Sequence, residues 1–281
     1  MIKDLIKMDF YRMKKSKMTY VMLIIMFGLT AMNCVINLIG RILGKDIDIS
    51  MNNTYFEITY TKYEFLWKLG DAIKVHEPLD TTLVSSLRGM TIGMLIWIYC
   101  AVFCTSEFKS GFIKNIGGRA ISKSNLLVSR VISLSLFTVA FNVIFVIIQT
   151  IQAAALSGYI AIVNFNDLAQ NLLLCTLFYV VISMIIIMIA YTTKSTVSTV
   201  ILSVLISSET SSLGTLALSA IVYLISGKTI NFNDYTVTGN LVQVEQIVKD
   251  GAFIKPLIVV SAYFVIAFVL SMRSLNKKDL V

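Results

Sequence analysis

Long uncharged apolar windows alternate with short charged segments along this chain. Residues 18–40 carry no charge, and neither do 89–106, 131–166, 168–193, 210–227 and 256–272. A helix of about 20 apolar residues crosses the hydrocarbon core of a bilayer, so each window predicts a membrane span. With their flanks, the predicted spans are 18–40, 86–106, 128–156, 168–192, 195–227 and 254–272. Pro256 falls in the first turn of the last one, where proline is tolerated. The fifth is predicted to be broken. Glu209 interrupts it inside Ser207-Ser208-Glu209-Thr210-Ser211-Ser212. With Gly214, these are weak helix formers. A break there, followed by a re-entrant helix over 213–227, is the expectation. The fold class is therefore an all-α membrane protein of six spans.

The segments outside the spans carry their own patterns. Residues 1–17 read as an amphipathic helix on the membrane surface. At 100° per residue Ile2, Leu5, Ile6, Phe10 and Met13 share one side, flanked by Lys3, Lys7 and Lys14. Asp9 falls inside that apolar arc. This placement marks either a protein contact or a local pair with Arg12 three residues on. Residues 41–85 and 228–253 form external segments. The first is Tyr- and Thr-rich over Asn53–Tyr63, open to either a small helix or an irregular loop. In the second, 241–249 fits a short amphipathic helix. Arg88, at the outer end of the second span, is expected to snorkel to the interface.

Composition confirms the class: of 281 residues 57% are hydrophobic, only 14% are charged and two are proline. Soluble domains hold about a quarter charged residues. Nothing of soluble-domain size can be cut out, so 1–281 reads as one transmembrane domain. The charges also orient it. With the N-terminus cytoplasmic, the segments 1–17, 106–130, 191–196 and 272–281 carry fifteen of the 24 basic residues and four of the 16 acidic ones. The net charge of +8 thus divides into +11 on that side and −3 on the rest. This bias places both termini in the cytoplasm. It reflects topology and headgroup attraction rather than nucleic-acid binding. The first span is too long for a signal-peptide core, and no small-residue cleavage site follows it.

Candidate chemistry is sparse. Cys34, Cys100, Cys104 and Cys175 all lie in apolar runs and read as buried small hydrophobes. His76, the one histidine, sits in a polar loop, so neither a metal cluster nor a histidine-based catalytic pair is expected. Polar residues inside spans draw more attention, because in hydrocarbon they turn towards other helices or a cavity. Thr30, Asn33 and Asn37 share a face of the first span, and Asn142, Gln149 and Gln152 nearly align on the third. Thr196, Thr199, Ser203, Ser207 and Thr210 form a hydroxyl stripe on the fifth. These faces read either as a translocation path or gate, with Asn33, Asn37, Gln149, Ser203, Ser207 and Glu209 as its candidates, or as packing between helices. Gly117–Ser124 imitates a phosphate-binding loop, with Ser122 where its second glycine belongs. That loop needs a strand before it. Here it joins two membrane helices, so the chain is not expected to bind ATP.

One charged segment stands between the second and third spans: Glu107-Phe108-Lys109-Ser110-Gly111-Phe112-Ile113-Lys114-Asn115. Three features carry a family resemblance: this segment, the basic start from Lys7 through Asp9 and Phe10 to Arg12, and the terminal Lys277-Lys278-Asp279-Leu280. The chain resembles the permease subunits of type 2 ATP-binding-cassette exporters, in layout over its whole length. The closest flavour is the small Gram-positive permeases that export, or confer resistance to, peptides such as bacitracin and lantibiotics. The resemblance implies that 1–17 is an elbow helix and that residues around 106–120 form a coupling helix docking in a groove of a separate ATPase. Glu107, Lys109, Lys114 and Arg119 would then offer charges, Phe108, Phe112 and Ile113 apolar anchors, and Gly111 a turn or close approach.

The resemblance further implies a multi-pass protein of the bacterial plasma membrane, working with a second permease copy or a paralogue. The chain itself is a transporter subunit rather than an enzyme and binds no cofactor. ATP and magnesium belong to the partner ATPase. Hydrophobic or amphipathic substrates are expected, since the candidate path is mildly polar with little charge. A different class also fits: a membrane sensor or immunity protein that binds a peptide through 41–87 without moving it. An ion-coupled transporter is disfavoured by the scarcity of carboxylates within the spans.

Overall fold

The computed structural model describes residues 2–43, 79–109, 122–157, 164–207 and 232–277, with positions 215, 219, 222 and 224 between the last two. Among the described residues every regular element is helical. They are α1 (Ile2–Lys15), α2 (Lys17–Leu43), α3 (Leu79–Arg88), α4 (Thr91–Lys109), α5 (Lys123–Ser157), α6 (Phe165–Thr193), α7 (Thr196–Ser207), α8 (Val237–Val242), α9 (Val244–Asp250) and α10 (Ile254–Lys277). A single 3-10 turn, Phe232–Tyr235, precedes α8.

Four of these contain stretches long and apolar enough to cross a membrane: Thr91–Phe108, Lys123–Gln152, Phe165–Thr193 and Ile254–Asn276. The first and fifth predicted spans correspond to shorter apolar stretches among the described residues, Lys17–Met32 and Thr196–Ser207. The structure thus supports four candidate spans. The break at Glu209 and, apart from positions 215, 219, 222 and 224, the expected re-entrant helix over 213–227 lie outside the described residues, as does 44–78 of the expected external segment 41–85, whose end falls in the helix Leu79–Arg88.

The bundle is organised around α6, which packs against α3, α4, α5, α7, α8, α9 and α10. Its sequence explains that position. Leu174, Phe178, Val181, Ile182, Ile186 and Ile187 are buried along it, so it is apolar all round, as a central helix must be. Both of its ends are capped. Asn164 accepts hydrogen bonds from the backbone of Asn166 and Asp167. Lys194 turns left-handed at φ 54° and returns its amide to the Ala190 carbonyl. Outer helices instead show apolar surface: Ile24 is 71% and Ile258 64% exposed. In a membrane that surface faces lipid or a neighbouring helix.

The second predicted span does not run straight from 86. The helix stops at Arg88, and Met90 takes a left-handed φ of 57°. Leu87, whose carbonyl the stop orphans, accepts from the Met90 amide (3.2 Å) and from the Tyr179 hydroxyl of α6 (2.6 Å). A buried hydroxyl thus satisfies the carbonyl that the interruption leaves open. Just beyond, Trp97 and Tyr179 meet edge to face at 5.5 Å, and Tyr99 stacks on Phe137 at 4.2 Å. These rings form the centre of the core and fix α4 against α5 and α6.

At the opposite end from α1, the predicted amphipathic helix over 241–249 is two short helices, α8 and α9, meeting at Gln243. Val237, Leu241, Val244, Ile247 and Val248 are buried beneath them, against the N-terminal end of α6. Arg88 does not merely snorkel: its guanidinium pairs with Glu245 of α9, which also takes Lys249 Nζ at 2.8 Å. First Lys249 and then Arg88 hold the Glu245 carboxyl below the ordinary glutamate value of 4.5. The sign follows: the stability from these pairs is present above pH 4.5 and is lost as the pH falls through the lowered folded value. An NMR titration of the Glu245 carboxyl should find it below 4.5. Lys249→Gln should raise it more than Arg88→Gln does.

Candidate functional site

The other end of the bundle holds a cluster of buried charges. Asp9 and Arg12 come from α1, Glu107 from the last turn of α4, and Arg130 from two turns inside α5. Arg12 Nη1 donates to Glu107 Oε1 at 2.7 Å. Arg130 Nε lies 2.8 Å from Glu107 Oε1 and 2.9 Å from its Oε2. The Arg130 guanidinium also pairs with Asp9, to which Ser133 Oγ donates at 3.2 Å. Arg12 stands 3.9 Å from Asp9. The Asp9, Glu107 and Arg130 side chains have no exposed surface, whereas that of Arg12 is 25% exposed.

Among the described residues two acids and two bases meet here, and mutual pairing makes the burial tolerable, since each charge alone would carry a large desolvation penalty. Phe103 adds an aromatic face, with the Arg12 guanidinium carbon 4.9 Å from its centroid and that of Arg130 5.9 Å away. Around the cluster, Phe108 meets Tyr191 of α6 edge to face at 5.4 Å, under Lys194 Nζ at 5.6 Å. Ser274 of α10 donates to the Tyr191 carbonyl at 2.8 Å. Five helices therefore converge here: α1, α4, α5, α6 and α10.

The structure redirects several sequence expectations. Glu107 was expected to offer its charge to another subunit. It is instead wholly buried, and its carboxylate is shared between Arg12 and Arg130 of its own chain. Phe108, expected as an anchor for a partner, packs on Tyr191. Asp9 makes both contacts considered for it, the local one to Arg12 and the protein contact to α5. The buried line of α1 is accordingly Leu5, Asp9 and Met13, while Phe10 is 38% exposed and Lys7 is exposed. The Lys109 side chain, and all of Gly111, Phe112, Ile113, Lys114 and Arg119, lie outside the described residues.

Arg130, Ser133 and Tyr191 were not singled out from sequence. By charge distribution alone Arg130 is one more base of segment 106–130. One signal was available: Leu126, Leu127 and Val128 precede it, so it stands inside an apolar helix rather than in a loop.

The polar faces resolve mostly into packing. Thr199, Ser203 and Ser207 are buried on α7, which packs on α4 and α6. Their hydroxyls donate to Ser195, Val200 and Val204 carbonyls at 2.7 to 2.9 Å. They line a helix contact rather than open space in this chain. On α5, Thr138 lies 3.3 Å from Ser183 and Asn142 Nδ2 donates to Thr176 at 3.4 Å, making a polar seam along α6. Gln149, 2% exposed, continues the same face, and Gln152 Nε2 reaches the Phe27 carbonyl of α2 at 3.4 Å. The Asn33 and Asn37 side chains and all of Glu209 lie outside the described residues. Cys100, Cys104 and Cys175 are buried free thiols.

Comparison with known families adds the deciding observation. Residues 77–210 match the model of the ABC-2 family transporter protein. The matched stretch is just under half of the chain and is similar to the membrane component of ABC transporters, in keeping with the apolar helices of the bundle. No curated protein compared with the chain matches it. The ABC-2 region runs from α3 to α7. It contains Glu107, Arg130, the whole of the expected coupling segment, and the α4–α7 contact. Asp9 and Arg12 come from outside it. The ion cluster therefore ties an N-terminal helix to the ABC-2 core at the point where the chain leaves α4 for segment 110–121.

Proposed function

We propose that this chain is the membrane permease of an ABC exporter, with six spans per subunit and both termini in the cytoplasm. A separate ATPase engages residues around 110–120, and the permease moves a hydrophobic or amphipathic substrate outward. The single observation carrying the reading is the ABC-2 match laid over a membrane-type helix bundle. Three further features support it. Fifteen of 24 basic residues fall on the side that holds the ion cluster, which is the cytoplasmic side by the charge rule. The helices α4 and α5, which flank segment 110–121 in the chain, are clamped together by Glu107 and Arg130. A second copy of the chain, or a paralogue, would face it across apolar surface left open on the outer helices.

Because Glu107 is internal, the grip on the ATPase falls to the residues beyond it: Phe112, Ile113, Lys114 and Arg119, with Gly111 shaping the turn. Interfaces of this kind concentrate their energy in a few apolar anchors and arginines. Co-purification with the ATP-binding subunit is the test. Phe112→Ala combined with Lys114→Ala should weaken association at least about tenfold, the effect of losing one to two kcal/mol at an anchor. Undiminished association would show that the ATPase docks elsewhere. Peptide substrates suit the external segments 41–85 and 228–253, rich in Tyr, Thr and Asn, and the bacterial plasma membrane is the proposed location.

A further inference from the structure

We propose that the seam between α5 and α6 is a binding site for a neutral, elongated ligand bearing N–H donors, the chemistry of a peptide backbone. Its acceptors are the side-chain oxygens of Asn142, Gln149 and Asn171. The proposal concerns the chain alone and goes beyond the permease reading.

Two contacts set the register of the seam. Thr138 Oγ1 lies 3.3 Å from Ser183 Oγ, and Asn142 Nδ2 donates to Thr176 Oγ1 at 3.4 Å. Gln149 lies eleven residues beyond Thr138, and Asn171 twelve residues before Ser183. At 1.5 Å per residue both distances are about 17 Å, so Gln149 and Asn171 stand at the same level of the antiparallel pair. All three amide residues are buried, at most 5% exposed. Asn142 Oδ1, Gln149 Oε1 and Asn171 Oδ1 nonetheless find no hydrogen-bond donor among the described residues.

The neighbouring hydroxyls do not relieve them. Thr138, Thr176 and Ser183 donate to the Leu134, Leu172 and Tyr179 carbonyls of their own helices at 2.8 to 2.9 Å. Asn171 Nδ2 is likewise engaged, by the Asp167 carbonyl at 2.9 Å. Turning the Asn142 or Asn171 carboxamide over would only exchange an oxygen without a partner for a nitrogen without one. Hydroxyls alone would glue two helices at no such cost, whereas a buried acceptor left open is costly. Three open acceptors along one seam are explained by a donor that arrives from outside the chain.

The seam also limits what that donor can be. Neither helix carries a charged residue between Thr138 and Gln149 or between Asn171 and Ser183, so the ligand is neutral. Asn142 and Gln149 are seven residues apart on one helix face, about 10 Å, which calls for an elongated molecule with donors at both levels. Phe141, Phe145, Leu174 and Phe178, all buried, stand among the polar positions and offer apolar contact between them. Asn171 is six residues, about 9 Å, from the start of α6, so the seam begins near the end of the bundle opposite the ion cluster.

The test uses the full chain in lipid nanodiscs and an N-acetyl trileucine amide whose central side chain carries a photoreactive diazirine. After illumination, mass spectrometry locates the label. It should concentrate on 142–149 of α5 and 171–176 of α6. Unlabelled trileucine amide should displace it at least about tenfold better than the ester-linked analogue, which keeps the shape but has no N–H groups. In the variant Asn142→Leu with Gln149→Leu, labelling there should fall at least about tenfold. The same variant should melt at or above its parent, because apolar groups replace acceptors that lack partners. A purely structural role for these amides would lower the midpoint instead.

The proposal is overturned if the label falls only on lipid-facing positions such as Leu136, Val139 and Val143, or if the ester displaces it as well as the amide. Labelling unchanged in the double variant, or a seam that takes up water but no peptide, would overturn it too. Should the double variant not fold, the comparison of amide with ester on the unaltered chain decides. A chain that retains no ATP-binding subunit would defeat the permease reading while leaving label at the seam, so the two failures are distinguishable.

Discussion

Replacing Arg130 by leucine is expected to destabilise the chain by about 3–5 kcal/mol, the usual cost of removing one partner from a buried ion group. Without it, among the described contacts, Glu107 and Asp9 keep Arg12, itself partly exposed, to offset them. One uncompensated negative charge is then left where water does not reach. A loss of that size corresponds to a fall of roughly 10 °C in the thermal midpoint, to be read by detergent-solubilised melting alongside the amount of chain in the membrane. The double variant Arg130→Leu with Glu107→Leu should lose less than the single one, because Asp9 and Arg12 remain as a balanced pair 3.9 Å apart. That inequality separates charge balance from mere loss of packing, since two ordinary core truncations would add. An Arg130→Leu chain that melts with its parent would mean the cluster is wet or already neutral.

Gly239→Ala is the second large effect, and it acts at the opposite end. A Cβ there would meet the Asn233 carbonyl, whose carbon would lie 2.7 Å away, and Thr236 Oγ1, also at 2.7 Å. The first obstacle is backbone and cannot rotate aside. Alanine is the better helix former by about 1 kcal/mol, but overpacking against a fixed neighbour costs about 1–3 kcal/mol. Moving Thr236 also removes the bond by which it caps α8, from the Gly239 amide at 3.1 Å. The net effect should be loosening of α8 and α9 over the end of α6. Hydrogen exchange should show lost protection across 237–250 with α4 and α6 unchanged. Unaltered protection at 237–250 would show that the turn at 233–236 yields freely.

Much of the architecture was legible in the chain itself. The windows that predicted spans over 128–156, 168–192 and 254–272 correspond to α5, α6 and α10, whose bounds differ by a few residues. Periodicity found α1 and set Asp9 within its apolar arc, of which Leu5 and Met13 are buried and Phe10 is exposed. Other features could not be read locally. At the stop after Arg88 the open Leu87 carbonyl is satisfied by the Tyr179 hydroxyl, ninety-two positions from Leu87. Glu107 looks, by neighbouring residues alone, like part of a solvated basic loop. Its real surroundings come from Arg12, ninety-five positions earlier, and Arg130, twenty-three later. The hydroxyl stripe of α7 reads from sequence either as a path or as packing. Burial against α4 and α6 favours packing within this chain.

The sequence by itself determined that this is a helical membrane protein and which segments carry its bases. Those properties follow from hydrophobic length and charge distribution, which the bilayer and its surface potential read residue by residue. Only the tertiary structure decided that Glu107 is buried between Arg12 and Arg130. A charge's role depends on which opposite charge shares its desolvated space, and that is set by how distant helices pack.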